Sequence, residues 1–119
     1  MAATHELEIK LRFADPVLAR AEVLAAGGEM VRPRRLQRDS LFDTADGQLR
    51  LKRSVLRLRI EPDSAWLTFK GPPQPSTMKL REEMETIVRD GAVIQRLLEE
   101  LGFRVWFRYE KYREEFALH

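Results

Sequence analysis

Between His5 and Phe13 the chain alternates without a break, with Leu7, Ile9, Leu11 and Phe13 in odd positions and Glu6, Glu8, Lys10 and Arg12 in even ones. A period of two predicts a β-strand with one apolar and one fully charged face. The same pattern returns at Val55–Ile60, where Leu56, Leu58 and Ile60 share one face and Arg57 and Arg59 the other. It recurs at Ala65–Lys70, where Leu67 and Phe69 oppose Thr68 and Lys70. A strand over about 79–89 puts Arg81, Glu83 and Glu85 on one face, and a last strand over about 103–118 does the same for Lys111 and Arg113. With a polar strand over about 34–43, followed by an Asp46-Gly47 turn, six strands are expected. Glu61-Pro62-Asp63-Ser64 turns the chain between two of them, and the Gly71–Ser76 segment with its three prolines reads as an exposed loop.

Two helices interrupt the strands. Asp15-Pro16 supplies a cap and a first-turn proline for a helix with the stripe Val17, Ala21, Leu24 and Ala25, ended by Gly27-Gly28. Asp90 caps a second, with a core stripe of Ile94, Leu97, Leu98 and Leu101 and a stop at Gly102. Strand, Asp cap, helix, glycine stop and long strand thus occur twice, each time after an acidic pair, Glu6/Glu8 and Glu83/Glu85. The first copy goes on through a hairpin at 55–70, whereas an equivalent second hairpin would fall beyond His119, so the chain is expected to lack two strands.

Each helix has a single apolar stripe and covers the apolar side of the strands. The charged sides then face together, and in a curved sheet they line the interior of a barrel. A crowd of uncompensated Arg and Lys is costly to desolvate, and a polyanion relieves the cost. Arginine meets phosphate oxygens two at a time, lysine as a point charge. Glutamates interleaved with the cations fit hard oxygen ligation of Mg²⁺ or Mn²⁺ bridging carboxylate and phosphate. The residues therefore describe a metal-assisted site for a di- or triphosphate.

Composition narrows the alternatives. The chain has 119 residues, one domain's worth, with 44% apolar and 34% charged residues. No apolar stretch approaches a membrane span, the first ten residues carry no signal-peptide core, and cysteine is absent, so a cytoplasmic protein without disulfides is expected. Basic residues number 21 against 19 acidic, and they are segregated into runs at 32–38, 50–59 and 104–113. An RNA-binding sheet is disfavoured, because the strands at 55–60 and 79–89 lack aromatics and carry glutamates.

Glu6-Leu7-Glu8-Ile9-Lys10 resembles the ExExK signature of the CYTH superfamily, the triphosphate tunnel metalloenzymes. Further segments resemble the same family in order: Gln37–Thr44, Leu56-Arg57-Leu58-Arg59, Leu67–Pro72, Arg81–Glu85, Leu101-Gly102-Phe103 and Lys111-Tyr112-Arg113. They cover essentially the whole chain and are most similar to the class IV adenylate cyclase-like, thiamine triphosphatase-related branch. The resemblance implies an α+β fold, an eight-stranded antiparallel tunnel with two helices outside, of which residues 1–119 would supply about six strands as a single domain. By position, Glu6, Glu8 and Lys10 would be catalytic, and Glu6 and Glu8, with Glu83 and Glu85, would hold metal. Lys10, Arg57, Arg59, Lys70, Arg81, Lys111 and Arg113 would hold phosphates.

The function so implied is metal-dependent hydrolysis of a triphosphate: ATP, thiamine triphosphate or tripolyphosphate. The alternatives are cyclisation of ATP to cAMP and non-catalytic binding of nucleotide or polyphosphate. Hydrolysis is preferred, because no residues that would orient a nucleobase are identifiable. Two missing strands would leave the metal site incomplete and the sheet edges open to pairing with a second copy. Trp66 and Trp106 are read as core or rim packing rather than as base-stacking residues, and His5 as a surface residue rather than a general base. His119 is given no role, and Asp39 and Asp43 stand equally as additions to the metal site or as turn and rim residues.

Overall fold

The computed structural model describes residues 16–74 and 81–117. The elements in chain order are α1 (Pro16–Ala25), β1 (Glu29–Thr44), α2 (Gln48–Leu51), β2 (Val55–Ile60), β3 (Ala65–Pro73), β4 (Arg81–Val88), α3 (Gly91–Glu100) and β5 (Phe103–Ala117). They fall into two compact units, Leu36–Lys111 and Met1–Arg35 with Tyr112–His119.

An antiparallel sheet in the order β4-β3-β2-β1-β5 dominates the larger unit. Among the described residues it runs from β4 to β5 and does not close. Leu58 pairs with Leu67 and Ser40, and Leu56 with Phe69 and Phe42, so these residues share the apolar face. Its centre is Phe42 and Leu58, each 1% exposed, with Ala65 also buried. The helix α3 starts against this face. A Cβ on Gly91 would lie 3.1 Å from Ile60 Cδ1 and 3.3 Å from Ala65 Cβ, so the close approach requires the missing side chain. The cap is the expected one: the Asp90 carboxylate accepts from the N–H groups of Ala92 and Val93. Gly102, at φ 99°, ends the helix in a conformation costly for other residues.

The smaller unit contains α1 with the start of β1 and the end of β5. Gly27 has φ 89°, and Gly28 N–H reaches back to Val23 O at 3.0 Å while Gly27 N–H reaches Leu24 O at 3.1 Å, a Schellman ending. Within this unit Arg20 pairs with Glu114, and Arg35 and Arg32 with Glu115.

Four expectations change. The strand read over about 34–43 begins at Glu29, and the expected strand at 5–13 lies outside the described residues, leaving five strands described. The residues Gly71–Pro73, read as loop, continue β3. The pairing with β2 stops at Val55↔Lys70, so beyond it β3 faces only β4, and a proline without an N–H is tolerated on the vacated side. The sequence predicts the Asp46-Gly47 turn but not the short helix α2 that follows it. The helix forms because the Asp43 carboxylate gathers the N–H groups of Leu49 and Arg50 at 2.9 and 3.1 Å, work that no local propensity signals. Finally, the helical stripes are less covered than a core stripe requires. Val17 and Leu24 on α1 and Leu97 and Leu101 on α3 are exposed, while Ile94 and Leu98 are half-buried. Amphipathic spacing identifies the apolar side of a helix, not how far a partner extends along it.

Candidate functional site

The face opposite the Leu58 side carries the charges. Directly paired residues in adjacent antiparallel strands lie on the same face, which sorts this one into rows. Val55, Lys70 and Glu83 form one row. Leu41, Arg57, Thr68 and Glu85 form the next. Asp39, Arg59, Trp66 and Ile87 form the third. Arg57, Arg59, Lys70, Glu83 and Glu85 are thus brought to one face by the alternation of β2, β3 and β4.

The two arginines of β2 differ in their surroundings. Arg59 is locked: its Nε and terminal nitrogen each donate at 2.9 Å to the two oxygens of Asp39, which is fully buried. Tyr109 on β5 donates its hydroxyl to the same carboxylate. Burial alone would push the Asp39 carboxyl up, but the hydrogen bonds from Arg59 and Tyr109 and the charges of Arg59 and Arg57 outweigh it and hold the group below its ordinary value. Tyr109 moves the other way: burial and the bond to Asp39 push its hydroxyl above the usual phenol value.

Arg57 is only loosely engaged. Its nearest carboxylate oxygen belongs to Glu85, at 3.9 Å, and that oxygen already accepts from Thr68 Oγ1 at 2.8 Å. The Arg57 Nε is buried without a hydrogen-bond partner, an arrangement that costs free energy until an acceptor arrives. Lys70, half-buried one row away and opposite Glu83, makes no hydrogen bond or ion pair with the described residues.

The other expected phosphate ligands are differently placed. Arg81 spends its fork on main-chain carbonyls, Nε to Gly71 O at 2.8 Å and a terminal nitrogen to Arg53 O at 2.9 Å. It thereby clamps the irregular stretch where the β3–β4 register shifts. Lys111 Nζ lies 5.8 Å from the centre of the Tyr109 ring. Arg113 belongs to the smaller unit, 3.5 Å from Glu115. Glu6, Glu8 and Lys10 lie outside the described residues.

Asp39 and Asp43 have structural partners. Asp43 is 1% exposed and accepts from the N–H groups of Thr44, Leu49 and Arg50 and from Arg50 Nε at 2.8 Å. Burial would raise its carboxyl, yet these donors, Arg50 first, lower it to about 2. Trp106 is 44% exposed and lies under the Arg50 guanidinium, 4.5 Å from ring centre to Cζ. Tyr109 was not singled out in the sequence. Its parity with Lys111, two residues on, would have placed it on the charged face.

A metal fits the donor set in part. No cluster of three or more His, Asp or Glu side chains able to hold an ion occurs among the described residues. Glu83 and Glu85 nevertheless share the charged face, and Mg²⁺ is commonly held by one or two carboxylates with substrate phosphates completing its shell.

A family model for the CYTH domain matches residues 4–119. A protein of Methanocaldococcus jannaschii, provisionally named an adenylate cyclase, is 28% identical over 109 residues, which are 92% of this chain and 62% of that protein. A solved structure from Pyrococcus horikoshii superposes with a TM-score of 0.69 at 25% identity, covering 83% of this chain and 58% of that one. A Hippeastrum protein, provisionally named an adenylyl cyclase and described as having a dominant triphosphatase activity, superposes with a TM-score of 0.60 at 21% identity, covering 84% and 61%. The chain thus spans about three fifths of the length of each of these relatives.

Proposed function

The chain belongs to the CYTH domain family, and from that premise we propose that it binds a triphosphate-bearing small molecule together with Mg²⁺ or Mn²⁺ and hydrolyses it. The observation that carries this reading is the pair of cations left over on the charged face: Arg57, with a buried Nε that lacks an acceptor, and Lys70, with no counter-ion among the described residues. A phosphate chain supplies what both lack. Arg57 offers a planar fork to non-bridging oxygens and Lys70 a point charge one row away. Arg59 contributes differently, as a rigid charge whose orientation Asp39 and Tyr109 already fix.

Glu83 and Glu85, with Glu6 and Glu8 of the ExExK segment, are the proposed holders of the metal. The chemistry supplied by a bound divalent ion is neutralisation of charge on phosphate oxygens. The residues' own task is placement: the more fixed the donors, the less reorganisation accompanies charge build-up on the phosphoryl oxygens. The name of the M. jannaschii relative favours a second reading, cyclisation of ATP with release of pyrophosphate.

Calorimetric titration with tripolyphosphate and with ATP, with and without Mg²⁺, tests the binding. Arg57→Ala is expected to weaken it by about 1–3 kcal/mol, the scale of a charge-assisted hydrogen bond, and affinity unchanged at moderate salt would remove the assignment. Identification of the products separates the activities: phosphate marks hydrolysis, cAMP with pyrophosphate marks cyclisation, and binding without product leaves a nucleotide or polyphosphate-binding module. No helix among the described residues is long and apolar enough to cross a membrane.

A further inference from the structure

On the charged face one row is not purely ionic. Trp66 stands there directly opposite Arg59 on one side and Ile87 on the other. The apolar face takes its neighbours Ala65 and Leu67, so Trp66 is not a member of the core formed by Phe42 and Leu58. Of the two expected placements, core or rim, this leaves the rim. Ile87, beside it, is 62% exposed. A large indole and an aliphatic side chain left partly open next to a row of cations call for a ligand that is apolar at one end and anionic at the other.

The two tryptophans contrast here. Trp106 is occupied by Arg50 over its ring and lies 5.7 Å from Phe107. Trp66 has one polar contact, Nε1 to Ser64 Oγ at 3.3 Å, and its ring makes no aromatic or cation–π contact with the described residues. That bond ties one edge of the indole to the turn after β2, and the side chain is half-buried, part of it open on the charged face. Going from Trp66 to Thr68 to Lys70 along β3, the side chains on this face advance by about 13 Å, two strand repeats. Arg57 sits beside the midpoint. An elongated molecule can therefore rest its organic end at Trp66 while its phosphates run past Arg57 to Lys70.

We propose that Trp66, with Ile87 at its side, is the platform for the flat heterocycle of an organic triphosphate, and so selects such a molecule over an inorganic chain of phosphates. The proposal rests on the triphosphate reading above and adds the direction in which the ligand lies: heterocycle toward Trp66, terminal phosphate toward Lys70.

The probes are ATP, thiamine triphosphate and tripolyphosphate, titrated with Mg²⁺ into the full chain. In Trp106→Phe, where Trp66 is the only tryptophan left, ATP or thiamine triphosphate is expected to quench the fluorescence and tripolyphosphate to bind without comparable quenching. Trp66→Ala is expected to weaken the organic ligand by roughly 5- to 150-fold, the range seen when base–aromatic stacking is lost, and to leave tripolyphosphate unchanged. Trp66→Phe should retain most of the affinity. If Trp66→Ala fails to fold, the fluorescence of Trp106→Phe decides alone. Organic triphosphates that bind without quenching, or with equal affinity in folded Trp66→Ala, overturn the platform while the triphosphate reading stands. Failure of all three probes to bind the wild-type chain overturns both.

Discussion

Replacing Asp43 by Asn should produce a loss of stability that depends on pH in a foreseeable way. The carboxylate accepts three main-chain N–H groups and Arg50 Nε, and its carboxyl is held at about 2 against an ordinary 3.8. At about 1.36 kcal/mol per pH unit that difference has a ceiling of about 2.5 kcal/mol. Arg50 is half exposed, its side chain retaining 49% of its accessible area, so water screens its share and about 1–2 kcal/mol is expected. A carboxyl depressed by folding stabilises fully above its unfolded value and loses that contribution as the pH falls through the folded value. The gap between wild type and Asp43→Asn, measured by urea unfolding, should therefore be full near about pH 6 and narrow steadily between about pH 4 and about pH 2. A gap that is equally wide at both ends, or none near neutrality, would refute the capping account. If added Mg²⁺ stabilised the wild type but not the Asn variant, Asp43 would have to be restored to the candidate metal ligands.

Three further outcomes follow from the same network of contacts. Asp39→Asn should destabilise the larger unit by about 3–5 kcal/mol in denaturant unfolding, because it strands the Arg59 charge; a loss below about 1 kcal/mol would mean that the pair is not held as described. Tyr109 should ionise above the ordinary phenol range in an ultraviolet absorbance titration, and Asp39→Asn should bring it back down. Since folding raises this hydroxyl, its contribution is present at neutral pH and lost as the pH climbs through the folded value. Asp90→Ala should cost about 1 kcal/mol of stability through loss of the α3 cap, detectable as a shift in the urea midpoint without a change in slope.

What the sequence discloses here is governed by the reach of the interactions. The alternation of Val55–Ile60 and Ala65–Lys70 and the Asp90 and Gly102 boundaries of α3 come from neighbours within a few residues, and the sheet and helix follow them. The shared face of Arg57, Lys70 and Glu85 needs only parity plus antiparallel pairing, and was legible for that reason. What separates Arg59 from Arg57 was not. It depends on Asp39, twenty residues away, and on Tyr109, which meets it across the sheet. The helix α2 was hidden for a similar cause, since its organising group is a side chain six and seven residues upstream of the two N–H groups it gathers. Trp66 stands half-buried on the charged face, compatible with the rim packing expected of it, and its parity with Thr68 and Lys70 already implied that side.

The glycine at the start of α3 has a mechanical consequence. With Cβ distances of 3.1–3.3 Å to Ile60 and Ala65, Gly91 fixes the fulcrum on which the helix leans. The helix has ten residues and so a length of about 15 Å, enough to magnify any adjustment at its root. A methyl group at position 91 would have to be accommodated by tilting the whole rod, with the displacement growing toward Leu97 and Leu101. Positional tolerance along α3 is therefore graded: narrow at the glycine, where backbone and sheet nearly touch, and wide at the far leucines, whose exposed side chains can travel without colliding with the sheet.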